Sequence, residues 1–329
     1  THFPGDFRST CPSCSSIYPS NKFIDNDFTS GETPDDGFGY FDPNGHLYLF
    51  TATYHRDQVG RYDHNMQQLT ARLRAGSFDE AIARTLTIML LRYATDILYL
   101  AAVPQFRYGP SMSEEEPWSW GQPDWADEAE PVAALFAKGM RRYAIDVPYI
   151  SETLGLAYDT VWPFIIQDLE IIDRAQALGL PVQTSQDLIL LLEDMLAAQL
   201  QCIMDRGARS NLPRESMGAL TILRALDRPD GQEVMDWLYD EGPDRMRVFG
   251  INNFFPDGSP FESTGGYNAI HTNGLFALEY HRRQLHQRHP EAYPEKTYPS
   301  LVDDPRAARV IRQPHEVTMV GKSWFQYGD

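Results

Sequence analysis

Apolar residues recur at three- and four-residue spacing from Phe78 to Ala102, at Ile82, Leu86, Met89, Leu90, Tyr93, Ile97 and Leu100. That period predicts an amphipathic helix. Leu188 to Met204 repeats the character with Leu191, Leu192, Met195, Leu196 and Leu200. Further helices are predicted over 130–145, 147–155, 158–177, 214–226, 231–241 and 267–288. Turn residues separate them: Pro104 and Pro110, Gly179 with Pro181, Pro229 with Gly231, and Pro256-Asp257-Gly258.

The two ends of the chain read differently. Residues 1–56 are rich in Pro, Gly, Asp, Ser and aromatics and lack helical periodicity. Within them Asn44-Gly45 sits between Tyr40-Phe41 and the β-prone run His46 to Tyr54, a hairpin signal. After 290 the helical pattern fades through Pro290, Pro294, Pro299, Pro305 and Pro314, and Glu316 to Val320 reads as a strand. Residues 104–131 interrupt the helical part with Glu114-Glu115-Glu116 and the tryptophans Trp118, Trp120 and Trp125. A loop of that length in a compact domain is usually functional or disordered. Its indoles either pack back on the body or form a rim on which sugar rings stack.

These elements give a mainly α fold, an incomplete (α/α) toroid of helical hairpins. The expected layout is a loop-rich, partly β segment over 1–56, a helical toroid over 57–290, and over 291–329 a linker or the start of a β-rich region. No repeat period is fixed, so a regular solenoid does not fit. No run approaches the ~18 apolar residues of a membrane span.

The formal charge of −18 changes the choice of partner. An acidic surface repels phosphate backbones, which argues against nucleic acid. An anionic substrate would need local positive groups. Three cysteines, Cys11, Cys14 and Cys202, make no disulfide framework. Cys11-Pro12-Ser13-Cys14 supplies half of a tetrahedral zinc site, which His46, His55 or carboxylates would have to complete. Two buried or loop-tying cysteines are the plain alternative. The chain has no phosphate-binding loop, no G-x-S-x-G elbow, no H-E-x-x-H and no dinucleotide fingerprint.

The segment richest in chemistry runs from Phe255 to His271. A Pro-Asp-Gly turn is followed by Gly265-Gly266 and then an amphipathic helix. In a helix starting near Gly266, Tyr267 and His271 share one face at i and i+4. A tyrosine titrates near ~10, so service as a base requires a stabilised phenolate. The ordinary reading of these residues is a helix start with a packed tyrosine and a surface histidine.

Asp257-Gly258-Ser259, Glu262 and Gly266-Tyr267 resemble the signature of the heparinase II/III-like polysaccharide lyases, α/α-toroid enzymes that include alginate and other uronate lyases. The Cys11–Cys14 knuckle before an aromatic hairpin resembles the opening of some bacterial members, and the helix from Phe78 to Ala102 resembles their early toroid helices. The resemblance implies β-elimination on an acidic, uronate-containing glycan, with Tyr267 as the catalytic tyrosine. It also implies an Asn or His fifty-odd residues earlier, at a helix start, that neutralises the uronate carboxylate. Asn211, in Ser210-Asn211-Leu212-Pro213-Arg214-Glu215, holds that place. The unpaired amides of a helix start favour an anion, although a plain N-cap explains Asn211 equally well.

On this reading Asn211, neighbouring amides and Arg214 absorb the charge that develops as the C5 proton leaves. Tyr267 removes that proton, returns one to the leaving oxygen, or does both. His271 supports, Glu262 orients, and Trp118, Trp120 and Trp125 form the rim. Glu215 is left out, since a further negative charge would oppose the uronate. The reaction needs no cofactor, and a structural zinc on Cys11 and Cys14 is the one metal the sequence offers. The expected location is extracytoplasmic, periplasmic or secreted.

Two features depart from the family pattern. Leu212 stands where some members carry His after the Asn. Members also continue into a C-terminal β-sandwich that adds a catalytic His, so a further domain or chain is expected to complete the site; His315 is the histidine available here. Two other readings stay open. An inverting glycoside hydrolase would need two carboxyls ~6.5–9.5 Å apart, drawn from Asp257, Glu262 and Glu114 to Glu116. A noncatalytic glycan-binding protein would keep the groove without the chemistry.

Overall fold

The structure is a computed structural model, and it describes residues 9–10, 13, 15, 17–18, 34–35, 40–48, 50–76, 78–101, 147–177, 179–180, 182–204, 211–228, 230–261 and 265–316. The chain divides into two units, Thr1–Gln68 with Pro104–Trp120, and Leu69–Val103 with Gly121–Asp329. The first holds two short antiparallel ribbons, β1 (Ser9–Thr10) with β2 (Ile17–Tyr18), and β3 (Tyr40–Phe41) with β4 (Leu47–Tyr48). The second ribbon is the hairpin expected at Asn44-Gly45, with Tyr40 opposite Tyr48 and Phe41 opposite Leu47. Asp42 builds its turn. Its carboxylate accepts the N–H groups of Asn44 and His46, both at 2.8 Å, and Gly45 takes φ +83°. The His46 amide in particular holds that carboxyl below its ordinary range.

Helix begins earlier than expected. α1 spans Phe50–Ala75, so the end of the β-prone run, Phe50 to Tyr54, is helical. Propensity is a weak prior, and no turn residue separates this stretch from the long helix it opens. α1 crosses from the first unit into the second at Gln68–Leu69.

The second unit is helical. After α1 come α2 (Glu80–Ala101), α3 (Val147–Ile165), α4 (Leu169–Ala177), α5 (Ser185–Met204), α6 (Arg214–Leu226), α7 (Gly231–Asp236, continued as a π turn over Trp237–Glu241), α8 (Phe249–Asn252), α9 (Gly265–Arg288) and α10 (Pro305–Glu316). The core is lined by Leu86 and Leu90 of α2, Leu154, Tyr158 and Val161 of α3, Leu192 and Leu196 of α5, Leu220 and Ile222 of α6, and Leu278 of α9. Asp79 opens α2 by accepting the Ile82 amide, and Asp168 opens α4 by accepting that of Glu170. Thr184 and Asp187 exchange bonds at the start of α5 as a capping box does.

Two boundaries differ from expectation. The segments predicted over 147–155 and 158–177 redistribute, because helix continues through Gly155 and breaks after Ile165. Gly155 is a contact point instead of a stop: a Cβ there would stand 3.0 Å from Cγ2 of Thr221. In the proline-rich end α10 forms where no helix was predicted, and Glu316 closes it instead of opening a strand. Pro305 occupies the first helical position, where its missing N–H costs nothing. Asp304 accepts the Arg306 amide, and Ala307, Val310 and Gln313 turn inward. The predicted helix over 130–145 and residues 317–320 lie outside the described residues.

Helix directions follow from the contacts. From α3 to α6, Pro148 meets Gly218, Gly155 meets Thr221, and Asp159 meets Arg224. From α6 to α9, Pro213 meets Gly274, Thr221 meets His281, and the Arg224 carbonyl accepts from Arg288. Both series ascend together, so α3, α6 and α9 run in one direction. α5 runs against α3, since Ser151 bonds Gln199 while Tyr158 bonds Glu193.

Residues after α9 are fastened by polar groups. Glu279, buried, accepts from Arg282, Arg283, Ser300 Oγ and the Leu301 amide. Burial raises its pKa, but these donors bring it below the ordinary value. The hydroxyls of Tyr298 and Tyr239 tie the same stretch to Asp236 and the Pro299 carbonyl.

The glycine contacts make a direct prediction. A Cβ on Gly218 would stand 2.6 Å from the Pro148 carbonyl oxygen, which is backbone and cannot rotate away. Gly218→Ala should therefore lower stability by about 1–3 kcal/mol, as overpacking does, despite alanine's better helix propensity. Denaturant unfolding reads this, and a stabilised variant would contradict the close α3–α6 approach.

Candidate functional site

Because α3, α6 and α9 are parallel neighbours, their first turns lie at one end of the second unit. Asn211 and Arg214 stand at the start of α6, and Tyr267 and His271 in the opening turns of α9. The start of α6 meets the third turn of α9: a Cβ on Gly274, nine residues after Gly265, would lie against the ring of Pro213. Tyr267 is seven residues before Gly274, close to two turns, so its Cα lies roughly 10 Å along α9 on the side that meets Pro213. The side chain of Tyr267 lies outside the described residues, as do Glu262, Trp118, Trp120, Trp125, Cys11 and Cys14.

Asn211 is not the cap of α6. Pro213 occupies the cap position, after a cis Leu212–Pro213 peptide, and makes no side-chain cap bond. Asn211 gives its carbonyl to the Arg214 amide at 2.9 Å, and its partly exposed side chain lies just outside the helix. The Met217 amide goes to the Pro213 carbonyl, and the Ser216 amide goes to Asp244 Oδ2 at 3.2 Å. Of the α6 amides expected to receive a substrate anion, that of Ser216 is already taken by Asp244 and that of Arg214 by the Asn211 carbonyl.

Arg214 turns toward α3. Its guanidinium stands 6.0 Å over the ring of Tyr149, and its charge acts on Glu152. Burial nevertheless wins, and the Glu152 carboxyl is pushed up. Asp244 is buried more completely. Desolvation raises it to about 6 against the opposing bonds from Ser216. Among the described residues its Oδ1 has no hydrogen-bond partner. Asp244 and Glu152 carry no signature in sequence: Asp244 lies in a Gly-Pro turn 28 residues from the amide it meets. Only the unusual sight of an aspartate in a stretch that becomes buried could have marked it.

His271 is buried, where the plain sequence reading put it on the surface. It lies against Phe261, with centroids 5.2 Å apart, and against Phe254 at 6.5 Å. The Asp257-Gly258-Ser259 motif has a backbone explanation. Asp257 accepts the amide and hydroxyl of Ser259 at 2.9 and 2.6 Å, and those bonds hold its carboxyl low. Gly258 has φ +91° and lies against Arg309 and Val310, where a Cβ would stand 2.4 Å from the Arg309 carbonyl carbon. The motif is thus a turn pinned on α10, and it folds the chain back so that Pro260 bridges Phe254.

Among the described residues no three His, Cys, Asp or Glu side chains converge as a metal ion would require. His46, proposed as a zinc ligand, is engaged with Asp42 at 3.1 Å. Among the described residues no helix is long and apolar enough to cross a membrane.

Asp244 gives a prediction with a definite sign. Its folded pKa of about 6 exceeds the ordinary 3.8, so the folded state keeps a proton that the unfolded state has released. Its stabilising contribution is complete below 3.8 and lost as pH rises through about 6. Asp244→Asn removes this dependence. The unfolding free energy of the wild type relative to the variant should fall across that interval and level off above it. A pH-independent difference in urea unfolding would show that Asp244 titrates alike in the folded and unfolded states.

Compared with known proteins, the chain matches no family model, no curated protein and no solved structure.

Proposed function

We propose that this chain is a polysaccharide lyase that cleaves an acidic, uronate-containing glycan by β-elimination, and that its helices form an arc of an α/α toroid. The observation that carries the reading is the close approach of Pro213 to Gly274. It brings the turn holding Asn211 and the turn holding Tyr267 to the same end, though 56 residues separate them in sequence. Three co-directional helices in chain order, α3, α6 and α9, with α5 running against α3, are what an arc of stacked helical hairpins would give.

In this mechanism the uronate carboxylate is met by side chains, Asn211 and Arg214, since the α6 amides are largely taken. They offset the negative charge that grows as the C5 proton leaves. Tyr267 takes that proton, the C4–O bond breaks, the C4–C5 double bond forms, and the leaving oxygen receives a proton. His271 acts as a positioning residue, because it is buried against Phe261 and Phe254. Exposed Phe255 and Phe261 add apolar surface beside this end, where the tryptophan rim was expected. A β-rich C-terminal region would complete the site in an extracytoplasmic enzyme. In the hydrolase reading, Asp257, whose carboxyl accepts from Ser259 and is held low, fits the base and not the acid.

Tyr267→Phe tests the proposal. The ring stays and one hydroxyl goes, so folding should persist. Loss of a positioned acid/base group costs ~10²–10⁴ in rate, and a group that both removes and returns a proton belongs at the upper end. Turnover is followed by the absorbance of the unsaturated uronate product on a panel of uronate polymers, and affinity is measured separately. Turnover should collapse while affinity changes little. Near-normal turnover would remove Tyr267 from the chemistry, and absence of unsaturated product from the wild type on every polymer would remove the lyase reading.

A further inference from the structure

At the other end of the same helix trio, three arginines gather around one carboxylate. Arg74 comes from the last turn of α1, Arg224 from that of α6 and Arg288 from the end of α9. All three face Asp159 of α3, at 3.6, 3.4 and 3.8 Å. Among the described residues Asp159 is the carboxylate partner of each. The nearby Asp227 is engaged with His289 at 2.7 Å.

These separations differ from those of closed ion pairs in the same protein. Arg247 reaches Asp240 at 2.6 Å, and Arg282 reaches Glu279 at 2.8 Å. Charge-assisted hydrogen bonds normally close to ~2.7–2.9 Å. Arg224 reaches Asp159 only through a long hydrogen bond at 3.4 Å, Arg74 and Arg288 stand farther off, and guanidinium donors remain unspent.

The other neighbours of Arg224 bring no negative charge. His281 Nδ1 lies 3.1 Å from its Nη1, so the imidazole accepts that N–H and is neutral at this nitrogen. Its Nε2 faces the Thr221 hydroxyl at 3.4 Å, and that hydroxyl already donates to the Met217 carbonyl, which fits a proton on Nε2. Burial, with the charges of Arg224 and Arg74, pushes His281 down to about 3, so the ring stays neutral under ordinary conditions. The ring of Tyr280 lies 5.6 Å from the guanidinium carbon. Arg224 is only 4% exposed, and among the described residues nothing accepts a hydrogen bond from its Nε.

The cluster thus holds three positive charges against one negative, in a chain of net charge −18. Helix ends offset part of that surplus through their carbonyls, and one of them, the Arg224 carbonyl, accepts from Arg288 at 3.2 Å. A surplus remains, and it is open to solvent: the side chains of Arg74 and Arg288 are 39% and 41% exposed. A small anion can reach it. A tetrahedral oxyanion offers more acceptor oxygens than a second carboxylate and can take donors from several guanidinium forks at once.

We propose that Arg74, Arg224 and Arg288 form a binding site for a tetrahedral oxyanion, a phosphate or sulfate group. It lies roughly 16 Å along α6 from Pro213, at the opposite end from Asn211 and Tyr267. The site stands on its own residues and holds whether or not the chain is a lyase.

The test is calorimetric titration of the full chain with inorganic phosphate, inorganic sulfate and glucose 6-sulfate, against sodium chloride at matched ionic strength. Saturable binding of phosphate or sulfate is expected. Equal affinity for glucose 6-sulfate would identify an esterified group on a sugar as an acceptable ligand, and its exclusion would identify the free ion. Both results support the site. Arg74→Gln with Arg288→Gln should weaken binding roughly tenfold or more, as loss of charge-assisted hydrogen bonds does. Both positions are half-exposed, and circular dichroism checks the fold. Asp159→Asn supplies a second, opposite readout. Removing the competing carboxylate should tighten binding about fivefold, on the scale of one unit charge near 4 Å. An inert cluster, held together by Asp159 alone, predicts no tightening. Absence of saturable binding in both the wild type and Asp159→Asn overturns the proposal, and so does binding that the double arginine variant leaves unchanged.

Discussion

The second unit depends on backbone contact at three glycines. Gly218 lets α6 lie against the start of α3, Gly155 receives Thr221, and Gly274 receives the ring of Pro213. Each site lacks room for a Cβ without movement, so the helices approach more closely than side chains between them would permit. That closeness fixes direction as well as distance. It sets three helix starts at one end and three arginines around Asp159 at the other. The polar fastenings around Glu279 and Tyr298 then hold the nonhelical stretch after α9 against this frame.

One end of the trio is rich in groups whose charge is constrained by burial. Asp244 occupies the Ser216 amide, and Glu152 is pushed up despite Arg214. Buried Asp244 holds the start of α6, while Asn211 and Arg214 beside it stay partly exposed. The other end is the electrostatic reverse. Around Asp159 its three arginines are incompletely paired, and His281 beside them is neutral. An acidic protein that keeps such a surplus in one place concentrates its attraction for anions there.

Much of the helical frame was legible because it is periodic. The 214–226 segment was read at the boundaries the structure gives, and the Asn44-Gly45 hairpin followed from its turn residues. The failures have physical causes. The break expected between 155 and 158 falls inside α3, where Gly155 is a packing contact, and Pro305, one of the prolines at which the helical pattern fades, is a helix start. Phe50 to Tyr54 carry β propensity that a long helix overrides. The Asp-Gly-Ser motif was read toward chemistry, while its residues have a sufficient reason in the turn against α10. Asp244 and the Asp159 cluster were invisible, because their partners are distant in sequence and belong to no motif.

The central claim is that α6 begins beside the third turn of α9 and runs in the same direction, and a cross-link tests it most directly. A Cβ on Gly274 would lie 3.7 Å from Cβ of Pro213, within the span a disulfide bridges. With Cys11, Cys14 and Cys202 replaced by serine, Pro213→Cys paired with Gly274→Cys should form an intramolecular disulfide under mild oxidation. Pro213→Cys paired with Arg288→Cys, at the far end of α9, should remain reduced. Peptide mass spectrometry reads both. A disulfide in the far pair, or none in the near pair of a folded protein, would contradict the parallel arrangement on which both sites depend.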